Sequence, residues 1–154
     1  MSQPLSPIER IEIERACERV ILDYSRALDL GDMNAAADCF AANGSMARPM
    51  NPDVVIQGRE AIRASLLTRP RALHTKHLAT NILIDVQGRD AATGLSYLTM
   101  ISVMLGEDAK PPHVSPGPLW FGECVDSFVR ENGVWKLLDR RGSIQMKYAG
   151  GPPA

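Results

Sequence analysis

Apolar side chains recur at three- and four-residue intervals through Ile13, Ala16, Val20, Tyr24 and Ala27, the stripe of an amphipathic helix. Ser6-Pro7-Ile8-Glu9 supplies its start. The serine hydroxyl can accept from the Glu9 amide while the glutamate reaches back, and proline suits the first helical position because its missing N–H would be unpaired there anyway. The stripe continues to Asp29, and Gly31 provides the stop. Asp32 caps a short second helix over 33–40. Ala42-Asn43-Gly44 is a turn, 45–48 and 54–56 are short strands, and 59–68 is a third helix with Ile62, Leu66 and Leu67 inward and Pro70 as its stop.

Beyond Pro70 the spacing changes character. Segments 74–86, 90–105, 119–131 and 134–146 are long and rich in β-branched and apolar residues. They are separated by Gln87-Gly88-Arg89-Asp90, by the proline-rich 110–118, and by the hairpin signal Glu131-Asn132-Gly133. Helices first and a meander afterwards predict an α+β domain, with a strongly bent, mostly antiparallel sheet wrapped around N-terminal helices. At 154 residues a single domain over 1–154 is long enough to bury a core without staples, with 1–6 and 147–154 as flexible tails.

Charge narrows the function classes. Lys and Arg total 17 against 18 Asp and Glu, so no basic field attracts nucleic acid. No apolar run approaches the roughly 20 residues of a membrane span. The N-terminal segment has acidic residues where an export signal needs an apolar core. A cytoplasmic protein with no membrane and no nucleic-acid partner is expected. Cys17, Cys39 and Cys124 are far apart and form no CxxC pair, which argues against a disulfide framework and against zinc.

The histidines carry the candidate chemistry. His74 and His77 stand at the head of a strand, where residues three apart point to opposite faces, so a shared metal ion is not expected. His77 is the acid–base candidate because imidazole titrates near neutral pH and can take and return a proton. Tyr24 lies on the helix stripe and turns its hydroxyl inward. Asn81 shares the alternation of His77 and could donate to a substrate oxygen. One of Trp120 and Phe121 must face inward, and Met46 is a candidate wall residue; aromatic and thioether walls suit a flat apolar ligand. Arg140 and Arg141 are expected to pair with Asp126 or Glu123. By periodicity alone Asp29 falls away from the helix stripe and into solvent. A carboxylate near a helix C-terminus is nonetheless disfavoured by the dipole and wants a partner.

The element order, together with DYSRALDLGDMNAAADCFAANG, VIQGREAIRASL, KHLATNILIDVQGRDA and GECVDSFVRENGVWKLLDRR, closely resembles the nuclear transport factor 2-like superfamily, and within it the SnoaL-like polyketide cyclase group that includes scytalone dehydratase. The resemblance covers about residues 8 to 146. It implies a cone-shaped α+β barrel whose helices and concave sheet enclose an apolar pocket, with chemistry that needs no cofactor and no metal. By motif position Asp29 resembles the aspartate that orients a strand histidine in scytalone dehydratase, and His77 resembles that histidine. Ser96 or Tyr97 stands near the family's second pocket histidine, and Ser45-Met46-Ala47-Arg48 lacks the family's strand tyrosine.

The expected activity is that of a cofactor-independent lyase or isomerase. His77 and Asp29 would move protons on a small cyclic or aromatic hydroxy or carbonyl substrate, and Tyr24 and Asn81 would bind the oxyanion. A non-catalytic ligand-binding or oxygenase small-subunit-like module is the alternative on the same fold. The strand row Leu78-Thr80-Ile82-Ile84-Val86, opposite His77, is almost wholly apolar and predicts a homodimer or homotrimer.

Overall fold

The computed structural model describes residues 4–149. Helix α1 spans Pro7–Leu30, and both halves of the capping box at Ser6 and Glu9 are formed. Gly31 ends it in the left-handed conformation (φ 76°) that favours glycine, donating back to carbonyls of the last turn. Asp32 caps α2, Met33–Asp38, by accepting from the Ala35 amide. Strands β1 (Phe40–Arg48) and β2 (Asn51–Gln57) follow, then α3 (Arg59–Leu67). The long strands are β3 (Leu73–Val86), β4 (Ala91–Met104), β5 (Leu119–Glu131) and β6 (Val134–Tyr148). Ser6 therefore belongs to the α1 cap and Lys147 and Tyr148 to β6; of the expected tails, residues 1–3 and 150–154 lie outside the described residues.

The six strands form one curved sheet in the order β2-β1-β6-β5-β4-β3. Neighbours run antiparallel except β1 and β6, which are parallel. The sheet is mixed and does not close, so the expected barrel is an open cup. Asn132 (φ 51°) and Gly133 (φ 82°) make the β5–β6 hairpin turn with two positive φ angles. The expected turn at Ala42-Asn43-Gly44 is instead an excursion inside β1: against β6 the register passes from Phe40↔Leu137 to Ser45↔Asp139.

Helix α1 packs against β3 and β6. Cys17, Ile21, Phe40, Ile62, Phe128 and Leu137 are almost fully buried between the helices and the sheet. Each large apolar side chain removed from water there contributes about 1.5–3 kcal/mol. Leu67, expected inward, is 56% exposed, because Ile62 and Leu66 already fill the buried side of α3.

A β-bulge in β3 redirects the strand. Pairing with β4 steps from Thr80↔Tyr97 to Leu83↔Leu95, one residue more on β3, and Asn81 takes a positive φ of 50°. Ile82, Ile84 and Val86 consequently pack against the core rather than continuing the outer row of Leu78 and Thr80. The single apolar row expected on the outer face is thereby broken. Leu78, Leu83, Tyr97, Met104 and Val125 are the large apolar side chains left exposed on β3, β4 and β5.

Candidate active site

The buried face of α1 holds Ile13, Tyr24 and Ala27 of the expected stripe and extends to Cys17, Ile21, Ser25 and Leu28, while Ala16 and Val20 are only half-buried. Asp29 follows Ser25 by one helical turn and so flanks the buried face; its side chain is 11% exposed. Thr75 and His77 alternate onto one face of β3 and meet this carboxylate together. The ring Nδ1 of His77 lies 2.6 Å from Asp29 Oδ1. The His77 amide donates to Oδ2 at 3.0 Å, and the Thr75 hydroxyl donates to Oδ1 at 3.1 Å. Arg69 Nη2 donates to Thr75 Oγ1 at 2.6 Å, which leaves the threonine proton for Asp29.

Burial pushes the Asp29 carboxyl up, but the hydrogen bonds from the His77 ring and amide and from Thr75 outweigh it and hold the group below its ordinary value. An ionised carboxylate only accepts, so Nδ1 of His77 must carry a proton, and in the neutral ring Nε2 is the basic nitrogen. His74 is exposed, as expected for the opposite face of the strand, with its ring 6.3 Å from that of His113. Among the described residues no group of three or more His, Cys, Asp or Glu side chains is placed to hold a metal ion.

His77 lines a cavity of about 90 Å³ between α1 and the inner face of the sheet. Leu28, Met46, Met50, Leu98, Met100 and Ile144 make its walls apolar. Tyr24 also lines it, its ring edge-on to Phe40 with centroids 5.6 Å apart. The Tyr24 hydroxyl donates to Met46 Sδ at 3.4 Å, a weak acceptor that yields the proton at little cost to a better one. Burial pushes the Tyr24 phenol up to about 12, so it remains a neutral donor. A larger open groove of about 640 Å³ runs over α1, α2 and Trp135 and contains neither His77 nor Asp29.

Of the residues singled out in the sequence, Asp29, His77, Tyr24 and Met46 come together. Asn81 does not: the bulge leaves it exposed, so the simple alternation that put it beside His77 is broken. Phe121 pairs with Thr99, which pairs with Leu78 on the outer face, and so faces away from the cavity. Trp120 has the inward parity, in register with Met100 and through it with His77, and the Lys147 ammonium lies 5.1 Å from its ring centroid. Ser96 is 1% exposed and inward, but its hydroxyl has no partner and it is not part of the cavity lining. Arg141 pairs with Asp139 at 2.7 Å rather than with Glu123.

The two charged residues of the cavity lining, Arg48 and Arg140, went unrecognised as such in the sequence. Arg140 pairs with Asp126 as expected, Nη1 to Oδ2 at 2.7 Å, and it also reaches the cavity, with its guanidinium carbon 5.0 Å from the Tyr24 centroid. Its inward alternation with Gly142 and Ile144 was the available signal: a charge inserted in a buried row.

Comparison with known proteins agrees with this architecture. A protein described as a candidate scytalone dehydratase from Novosphingobium aromaticivorans superposes with a TM-score of 0.76 at 24% identity, over 97% of this chain and 95% of that one. A type 2 hexachlorocyclohexane dehydrochlorinase superposes with a TM-score of 0.74 at 15% identity, over 96% and 99%. A protein of unknown function from Mycobacterium tuberculosis gives 0.70 at 26% identity, over 88% and 77%. No curated protein matches the chain by sequence. No helix among the described residues is long and apolar enough to cross a membrane. The profile of the SnoaL-like domain matches residues 9–141, and the chain belongs to that family.

Proposed function

We propose that this chain is a lyase or isomerase working by general acid–base catalysis, with His77 as the base and Asp29 as the group that aims it. The observation that carries this is the 2.6 Å contact between His77 Nδ1 and Asp29 Oδ1 at the wall of an apolar cavity. Nε2 takes a proton from a carbon next to a carbonyl, and the resulting imidazolium is stabilised by the Asp29 carboxylate. The electron pair moves to the carbonyl oxygen, where the neutral Tyr24 hydroxyl can donate in place of its contact with Met46. Return of the proton to another carbon completes an isomerisation; collapse of the enolate with departure of a hydroxyl from the adjacent carbon, which leaves as water carrying the imidazolium proton, completes an elimination.

The apolar walls suit a small cyclic or aromatic hydroxy or carbonyl compound. Two of the similar structures are named for eliminations, dehydration and dehydrochlorination, which supports the same class of chemistry. None of these steps draws on a cofactor. A cytoplasmic homodimer or homotrimer is part of the same proposal.

The test is deuterium uptake, followed by proton NMR in heavy water, at the acidic carbons of cyclic and aryl-fused ketones such as 2-tetralone. Exchange accelerated by the wild-type protein and abolished by His77→Ala supports the proposal. Bound ketones that exchange no faster than in buffer contradict it and favour a binding module.

A further inference from the structure

Arg140 is an unusual wall for an apolar cavity. Its side chain is 7% exposed, yet it borders the same space as His77 and Tyr24. Asp126 accepts one hydrogen bond, from Nη1. No other oxygen among the described residues accepts from this guanidinium. Its Nε and Nη2 are not among the buried atoms left without a partner, and the side chain borders both the cavity and the Cys124 thiol. Arg48 supplies a second guanidinium to the lining, steadied by Nη2 donating to the Ser65 carbonyl at 2.7 Å and hydroxyl at 2.9 Å.

The charge balance of the wall is one-sided. The lining holds Arg48 and Arg140 and no carboxylate. Asp126 backs Arg140 and Asp29 backs His77, both outside the lining. Burial opposes the charged form of Arg140, but Asp126 more than restores it and the guanidinium stays cationic. A desolvated guanidinium with donors to spare is a fork that matches a carboxylate or an enolate-like oxygen pair.

We infer that Arg140, with Arg48 beside it, forms an anion subsite that anchors a carboxylate, phenolate or enolate oxygen of an otherwise apolar substrate across the cavity from His77. This rests on the acid–base proposal only for the identity of the ligand as a substrate; the binding preference stands independently of turnover. The anchored oxygen would fix the ring so that one carbon faces Nε2, and it narrows the substrate class to small cyclic or aromatic acids and acidic carbonyl compounds. Arg140 is in this sense a binding residue that the alternation of β6 delivers to the cavity.

The experiment compares benzoate with its uncharged isostere benzamide at neutral pH, by titration calorimetry and by NMR of the arginine Nε–H signals. The expected result is that the wild-type protein binds benzoate about tenfold or more tightly than benzamide, with the Arg140 signal shifted by benzoate. His77→Ala should keep this preference while losing ketone exchange. The pair Arg140→Met with Asp126→Leu removes both charges together and should lose most of the preference, keeping only what Arg48 supplies, while retaining its circular dichroism spectrum. Should that pair fail to fold, the wild-type preference and the Arg140 signal decide alone. Equal binding or no binding of the two probes by the wild type, an unmoved Arg140 signal, or an undiminished preference in the folded pair overturns the proposal. A wild-type protein that prefers benzoate yet exchanges no ketone proton upholds the anion site and removes the catalytic role of His77.

Discussion

His77 and Asp29 are joined twice, through ring and backbone: Nδ1 lies 2.6 Å from Oδ1, and the His77 amide donates to Oδ2 at 3.0 Å. One carboxylate thus fixes both the strand position and the ring orientation of the histidine. The two residues should therefore act as a unit. Asp29→Asn and His77→Ala are each expected to lower ketone exchange by about 100- to 10,000-fold, the range of positioned acid–base help. The double variant should be little worse than His77→Ala alone. Losses that multiply would show two independent contributions.

The same contact gives stability a pH dependence. The Asp29 pKa is lowered by folding, so its contribution is fully present above the ordinary value of 3.8 and is lost as pH falls through the depressed folded value. Glu9, held to about 2 chiefly by the hydrogen bond from Arg89, acts in the same direction. The comparison must accordingly be between the wild type and Asp29→Asn. Urea titrations at neutral pH and in strong acid should show the wild type losing more stability than the variant. A stability difference unchanged between those conditions would contradict an ionised Asp29.

Arg140 and Asp126 are a buried pair, with side chains 7% and 0% exposed. Arg140→Met alone strands the Asp126 carboxyl, which already leaves Oδ1 unpartnered. Breaking such a pair typically costs about 3–5 kcal/mol. Adding Asp126→Leu should recover most of that loss, because no buried charge remains. Denaturant midpoints of the two variants check this; a double variant less stable than Arg140→Met would show that the ion pair itself, and not the stranded charge, matters.

Self-association should use the outer sheet face around Leu83, Tyr97 and Val125, which are 66%, 47% and 54% exposed. Covering each such apolar side chain contributes up to about 1.5–3 kcal/mol. Light scattering at micromolar concentration should give a multiple of the 16.8 kDa chain mass, and Leu83→Arg with Val125→Arg should return it to the single-chain value. A single-chain mass for the wild type would contradict this.

Local signals carried most of the fold. The capping box at Ser6, the stop at Gly31, the Asp32 cap and the Asn132-Gly133 hairpin each rest on chemistry confined to a few neighbouring residues. What the pattern missed depends on partners distant in sequence. The β3 bulge at Asn81 is defined by its pairing with β4, and it removed Asn81 from the site and turned Ile82 and Ile84 inward. The parallel pairing of β1 with β6, and with it the placement of Met46 beside Arg140, has no local signature. Asp29 illustrates both cases. Spacing from the Val20-Tyr24-Ala27 stripe pointed it to solvent, the helix dipole argued that it needed a partner, and the extension of the buried face beyond that stripe to Ile21 and Ser25 brings it to His77.

The tautomer of His77 tests the central claim most directly, without knowledge of the substrate. A two-bond proton–nitrogen NMR correlation on uniformly ¹⁵N-labelled protein, at a pH where the ring is neutral, reads which nitrogen carries the proton. The expected result is a protonated Nδ1 and a bare Nε2 in the wild type, with that distinction weakened in Asp29→Asn. A wild-type ring protonated at Nε2 would leave no base facing the cavity and would contradict the proposed mechanism.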